Sequence, residues 1–469
     1  MKIWINKGIA DIPASEYEEA LIFNLLNEHN ESNIKSHVEE LWNSFGVNNL
    51  ESVYEDLLLI GISVFCADKR TLRAKTEDSW TRHITINIPV LEIDKWLYIK
   101  EDMEMMLGFL SGDIWNLEFR KSSTKLRTIP ENKRNKTPLS NKYDAVSLFS
   151  GGLDSFCGAL KLMESGVKTC FVAFREYNLV TDRQKDLFNQ IDEYYDSVEK
   201  ALALFDVTPR PPRDINGESM NVNVESTSRS RSFLFLVGAI AVASMIDKNI
   251  PVYIPENGFI GINVPLSDSR NGSCSTRTTH VYFIKSLNKI LEKIGITNLV
   301  QNFYAFMSKG EIVHEFKDNT IFKNYASDTI SCSHPCLSRY TGQRPPQNCG
   351  YCYPCIIRKS SLNSIGIDNT LYTPKFGLSL SFIEEYSNLS GKASDLKAVL
   401  MSLKKYLINK DDKNYIKHIL LKHGELTKEE LINYEHVYVQ SMEELLKLFM
   451  NIDKQNDAKI LDYLGYKGE

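Results

Sequence analysis

The chain has 469 residues, which at roughly 150 residues per domain suggests about three domains. Its 43% hydrophobic and 25% charged fractions are ordinary for a globular protein that buries a core. The 55 Lys and Arg against 60 Asp and Glu give a net charge of −5, which argues against a basic surface for nonspecific nucleic-acid binding. No direct nucleic-acid binding is therefore expected.

The first twenty residues, MKIWINKGIADIPASEYEEA, hold no apolar stretch long enough for a signal peptide. No run of about 18 apolar residues exists anywhere, so no membrane partner and a cytoplasmic location are expected. All five tryptophans, Trp4, Trp42, Trp80, Trp96 and Trp115, lie in the first 115 residues. That composition shift marks residues 1–138 as a separate, mixed α+β accessory domain. Within it, residues 16–45 carry helical spacing, and Ile84, Ile86, Ile88 and Val90 alternate as in a half-buried strand. Segment 120–142 has two prolines and eight Lys/Arg against one acid, and reads as an exposed linker.

Residues 139–330 change character. DAVSLFS (144–150) is a buried strand, followed by a helix, and TCFVAFRE (169–176) is a second strand. A helix is expected over 181–204, a buried helix over 233–246 and a strand at VYIPE (252–256). Strands alternating with helices imply a doubly wound parallel α/β sheet. Residues 331–360 form a cysteine-bearing turn, and 361–469 a helical region with periodic leucines.

The motif Ser150-Gly151-Gly152-Leu153-Asp154-Ser155 joins a buried strand to a helix. Adjacent glycines let backbone N–H groups converge, and the helix N-terminus adds partial positive charge, a cradle suited to pyrophosphate. Ser150 and Ser155 add hydroxyls, and Asp154 can hold a Mg²⁺ that bridges phosphates. There is no GxxxxGK[ST], so this is not a Walker loop.

Of nine cysteines, five (Cys332, Cys336, Cys349, Cys352, Cys355) fall within 24 residues. An odd count in a long chain is no disulfide framework and points to an intracellular metal site. Cys349, Cys352 and Cys355 have CxxCxxC spacing, with Cys332 or Cys336 as fourth ligand. Four thiolates suit a closed tetrahedral Zn²⁺ site, with an Fe–S cluster the main competitor. Arg358 and Lys359 follow the last cysteine and could lower thiolate pKa values or meet an anion.

Between the two motifs lies PENGFIGINVPLSDSRNGSCSTRTTH (255–280). Glu256, Asn257 and Asn263 can read the edge of a planar heterocycle. Arg270 and Arg277 can meet a carboxylate or phosphate, with Ser275, Thr276, Thr278 and His280 in the same loop.

SGGLDS resembles the SGGxDS motif of the PP-loop ATP pyrophosphatases. The cysteine segment resembles that of the QueC (7-cyano-7-deazaguanine synthase) family, with Ser331-Cys332 matching its SC pair and Cys349-Gly350, Cys352 and Cys355 its CGxCxxC. That match implies Cys332 as the fourth zinc ligand and Cys336 as spare. Arg229, Arg231 and Ser232 resemble the family's RN pair, which places Arg231 in the ATP site, and Lys309 and Glu311 resemble its TKxEIV segment. The stretch 255–280 and the N-terminal pieces look like the QueC-like branch found in antiphage defence, as in the Qat system and type IV CBASS. The resemblance covers most of residues 55–360 and is weak in the C-terminal helices.

It implies ATP- and Mg²⁺-dependent activation of a 7-carboxy-7-deazaguanine as an acyl adenylate, with Asp154, Ser155 and Lys309 catalytic. It further implies amide formation with an amine, in the defence branch that of a partner protein. Residues 1–138 and 361–469 could then supply a docking surface. The alternatives are free nitrile synthesis as in QueC itself, tRNA thiolation or lysidine-type modification, and a non-catalytic PP-loop scaffold stapled by zinc.

Overall fold

The computed structural model describes all residues except 9–12, 26–31, 48, 127–141, 177, 227–228, 267–276, 343, 374–376, 387–392, 423, 457–458 and 467–469. The basic stretch 127–141 and the candidates Arg270, Ser275 and Thr276 therefore lie outside the described residues.

The strands are β1 Lys2–Asn6, β2 Leu21–Asn24, β3 Ile34–Ser36, β4 His83–Val90, β5 Ile114–Lys121, β6 Ala145–Leu148, β7 Thr169–Phe174, β8 Lys200–Phe205, β9 Val207–Pro209, β10 Val252–Tyr253 and β11 Val300–Gln301. They form two parallel sheets, β2-β1-β4-β5 and β11-β10-β6-β7-β8, and an antiparallel β3-β9 ribbon. The protein is thus mixed α/β, and the five-stranded sheet reads 3-2-1-4-5 in chain order. Its direction of winding reverses between β6 and β10. In open α/β sheets the crevice outside the carboxyl ends at such a reversal is where ligands bind.

Alternation within the strands explains why both faces of this sheet are covered. Val146, Leu148, Cys170 and Val172 join one apolar cluster with the Arg231–Ile246 helix. Phe149 and Phe171 join another with the Leu153–Glu164 and Asn178–Tyr194 helices.

Three sequence expectations change. Among the described residues of 16–45, β2 and β3 appear and the α-helix is confined to Val38–Phe45, with a short 3-10 turn at Ser15–Tyr17, because Leu21, Ile22 and Phe23 pair directly with β1. The helix expected over 181–204 ends at Tyr194, and KALALF becomes β8. Ala and Leu favour helix locally, but a full ladder on β7 overrides propensity. Arg120 and Lys121, assigned to the linker, complete β5. The alternation of Ile84, Ile86, Ile88 and Val90 is that of β4, with all four buried.

The tryptophan-rich region does not keep its core to itself. The Ser52–Arg70 helix lies against the Arg231–Ile246 helix, and one buried cluster runs continuously from Ile3 to Val300. Contact is closest at Gly61, where a Cβ would stand 2.3 Å from Val237 Cγ2. Gly61→Val is expected to destabilise the whole chain by about 1–3 kcal/mol through overpacking. The double variant with Val237→Ala should lose less in urea unfolding than the sum of the single losses. Strict additivity would show that the two helices do not share this contact.

Candidate functional site

The SGGLDS loop leaves β6 at the reversal point and enters the Leu153–Glu164 helix. Gly151 has φ +78°, and a Cβ there would meet Gln184 Cγ at 2.9 Å, so only glycine fits without strain. Ser150 Oγ accepts from Gly152 N–H at 3.3 Å and lies 3.1 Å from Ser155 Oγ. The Ser155 hydroxyl also contacts Gly152 O at 3.0 Å. The six residues thus form one compact turn whose first-turn amides belong to a twelve-residue helix.

Asp154 is only 7% exposed. Its Oδ2 takes the Lys309 ammonium at 3.1 Å and the Asn257 amide at 2.8 Å. Burial disfavours the charged form, but Lys309 and the hydrogen bonds of Glu256 and Asn257 together outweigh it, holding Asp154 below the usual carboxylate range. Asn257 Oδ1 caps the Gly258–Ile262 helix through Ile260 N–H, and Nδ2 also reaches Glu256 Oε1 at 2.9 Å. Burial, then the Asp154 charge, push the Glu256 carboxyl well above its ordinary value, so Glu256 holds its proton. Asp154, the adjacent pair Glu256 and Asn257, and Lys309, three segments far apart in sequence, are brought together.

Asp154 and Glu256 thus share one buried proton between neighbouring carboxyls. Such a pair fits a Mg²⁺ that would displace this proton, take one or two protein carboxylates and complete its shell with phosphates.

Cys332, Cys349, Cys352 and Cys355 form the second cluster, with all four Sγ atoms within 4.8 Å of one another. The Cys332–Cys352 and Cys349–Cys355 separations are both 3.9 Å. A tetrahedral ion with Zn–S bonds of about 2.3 Å requires sulfurs about 3.8 Å apart, so the four could bind a metal ion and their spacing is consistent with zinc. Backbone N–H groups of His334 and Cys349 point at Cys332 Sγ, and that of Cys352 at Cys349 Sγ, at 3.2–3.3 Å. Cys352 caps the Tyr353–Ser364 helix, whose N-terminus favours thiolate. Cys336 stays outside and begins the Leu337–Thr341 turn.

The two clusters are strapped together. Ile330 N–H donates to Gly151 O at 2.9 Å, and Leu153 N–H to Ser331 Oγ at 3.2 Å. Ser331 N–H in turn donates to Asn348 Oδ1 at 3.1 Å, one residue before Cys349. A cleft of about 540 Å³ opens beside this strap, lined in part by Asp182, Arg183, Ile330, Arg344 and Asn348.

Other candidates face elsewhere. Asn263 ends the Gly258–Ile262 helix in the left-handed region, φ 45°. Arg277 donates to Phe109 O at 2.9 Å and lies 4.3 Å over the Phe109 ring. His280 caps the Val281–Lys293 helix and meets the same ring edge-on, and Thr278 lies in the turn before it. Arg231 is ion-paired with Glu176 just beyond β7. Arg229 is buried, 4.8 Å over Trp80, and Ser232 donates to Arg229 O. Arg358 is fully buried and spent on Thr329, Ala326 O and Thr370, so it meets no anion. Lys359 lies 4.2 Å over Tyr372.

Sequence reasoning missed Glu444, His436 and Gln440 of the Lys428–Asn456 helix. Glu444 accepts from Ser308 O–H and Gly310 N–H, the residues flanking Lys309. The available signal was the acidic pair Glu443-Glu444 set between Met442 and Leu445.

No protein-family model matches the chain, and no curated protein matches it. No helix among the described residues is long and apolar enough to cross a membrane.

Cys352→Ala is expected to cut bound metal, measured by elemental analysis, from about one ion per chain to near zero, and to lower the thermal midpoint. Unchanged metal content would contradict this ligand set. Folded Glu256 keeps its proton to higher pH than the unfolded chain does, so its contribution to stability falls as pH rises above the ordinary carboxyl range. Glu256→Gln cannot ionise. Its thermal midpoint should exceed the native protein's at about pH 8.5, the gap closing toward about pH 4. A pH-independent gap would reject the assignment.

Proposed function

We propose that this protein is an ATP-dependent, AMP-forming ligase of the PP-loop type, a cytoplasmic enzyme that joins a 7-carboxy-7-deazaguanine-type acid to an amine. The observation that carries the reading is position. SGGLDS sits at the reversal point of a parallel sheet, with Asp154, Asn257 and Lys309 within hydrogen-bonding distance. The clustered thiols and the Ser331 strap extend the resemblance to QueC-like enzymes.

A substrate carboxylate oxygen attacks the α-phosphorus of ATP, the bond to pyrophosphate breaks, and an acyl adenylate forms. The amine nitrogen then attacks the acyl carbon, AMP departs, and the nitrogen gives up a proton. The loop amides and the helix N-terminus receive the pyrophosphate charge. Lys309 supplies the nearby positive charge, and Asp154 with Glu256 supplies carboxyl oxygens for Mg²⁺. A bound Mg²⁺ would neutralise phosphate charge as pyrophosphate leaves. The four cysteines would hold Zn²⁺ in a structural role. As in the defence branch that the chain resembles, the amine is that of a partner protein.

The test is pyrophosphate release with ATP and the deazaguanine acid, followed by intact-mass analysis of copurifying proteins. Added mass on a protein supports conjugation, and free cyano-deazaguanine with ammonia supports the nitrile synthase instead. Asp154→Asn and Lys309→Met should each lower the rate of pyrophosphate release by about 10²–10³. Full release by Asp154→Asn would remove this residue from the chemistry.

A further inference from the structure

The Lys309–Glu315 helix is gripped at its N-terminus by one face of the Lys428–Asn456 helix. The gripping residues, His436, Gln440 and Glu444, recur every four positions and so lie on one stripe. His436 Nε2 meets Glu311 Oε1 at 2.7 Å, and Gln440 donates to Glu444 Oε1 at 3.4 Å. Glu444, 3% exposed, takes the Ser308 hydroxyl on Oε1 and Gly310 N–H on Oε2 at 3.1 Å.

The protonation of this group follows from its partners. Ser308 Oγ already accepts from Glu311 N–H at 3.1 Å in a capping box, so its proton points to Glu444. Gly310 N–H and Gln440 Nε2 are also donors. Burial pushes the Glu444 carboxyl above its ordinary value, and these three donors oppose that shift by favouring its charged, acceptor form. Gly310 leaves it room, since a Cβ there would stand 2.3 Å from the carboxylate. Lys309 lies between the two anchored residues, and its ammonium meets Asp154.

We propose that Glu444 is a positioning residue, holding the Lys309 helix so that the ammonium stays on Asp154. It touches no reacting atom and acts through Ser308 and Gly310. This rests on the reading of Lys309 as part of an ATP site, and it brings the C-terminal helices into that site's construction. An acid at a helix N-terminus also stabilises the helix, so placement and stability are read out separately.

Glu444→Gln keeps size but sets an amide donor against one of three donors. Gly310→Ala disturbs the same carboxylate from the other side. In the full chain, both variants should lower kcat for pyrophosphate release by about 30- to 100-fold, with KM for ATP within about twofold, as expected from displacing a charged group by about 1 Å. The second readout needs no activity: the rate at which an amine-reactive reagent labels Lys309, followed by peptide mass spectrometry. That rate should rise at least about fivefold as the buried pair loosens, at temperatures where circular dichroism shows both variants folded. Folded variants with unchanged Lys309 labelling would overturn the proposal. A native protein that releases no pyrophosphate, but whose Lys309 labelling still depends on Glu444, would sink the ligase reading and leave the positioning role standing.

Discussion

Burying the Asp154 carboxylate dictates most of what surrounds it. An uncompensated buried charge costs several kcal/mol even after relaxation, so a buried carboxylate needs a cation and hydrogen-bond donors. The cation is Lys309 and the donor Asn257. Asp154 follows β6, Asn257 follows β10 and Lys309 follows β11. Those strands are neighbours in the order β11-β10-β6. The sheet topology therefore delivers the three groups to one carboxyl edge, and a different strand order would leave the charge stranded.

The same edge explains why the cysteine turn sits where it does. A metal held by four thiolates contributes folding energy to a segment with little core of its own. Through Asn348, Ser331 and Ile330 that segment is hydrogen-bonded to Gly151 and Leu153. The conformation of the glycine loop and the order of the cysteine turn are thus coupled through a few bonds. Gly350, at φ +86° and with a hypothetical Cβ 3.1 Å from Lys359 Nζ, lets the turn close against the lysine.

Local motifs were legible in the sequence and long-range consequences were not. The cysteines form a short pattern whose spacing leaves Cys332 or Cys336 as the fourth member, and the structure brings Cys332, Cys349, Cys352 and Cys355 together; SGGLDS joins β6 to a helix as expected. Glu256, Asn257 and Lys309 were legible as polar groups near those motifs. Arg277 and His280 looked equivalent to them on composition, but their contacts are to Phe109 of the Lys100–Ser111 helix. No local pattern distinguishes a polar loop residue that faces a crevice from one that closes an interface. KALALF failed for the related reason that pairing with β7 outweighs what Ala and Leu prefer alone. Glu444 was hidden because an acid beside another acid, Glu443, gains its meaning only from what its helix face packs against.

The flanking regions, whose length suggested docking modules, are packed and hydrogen-bonded onto the α/β core. On the N-terminal side, Asp68 accepts from the backbone N–H groups of Arg229 and Ser230 at 2.9 and 3.0 Å, where the Arg231–Ile246 helix begins. Asp68 is itself held by Arg82, which shares Asp113 with Arg73. Burial opposes the Asp68 charge, but Arg82 and the hydrogen bonds from Ser230 together outweigh it and hold the Asp68 carboxyl below its ordinary value. Breaking one member of such a buried network leaves a stranded charge, commonly a loss of about 3–5 kcal/mol. The helix start is thus fixed from the N-terminal side, and the Lys309 helix is fixed from the C-terminal side by Glu444. Both anchors use ion and hydrogen-bond geometry, which sets position more sharply than apolar packing does. Buried charge thus fixes the starts of two helices, one from each flank of the α/β core.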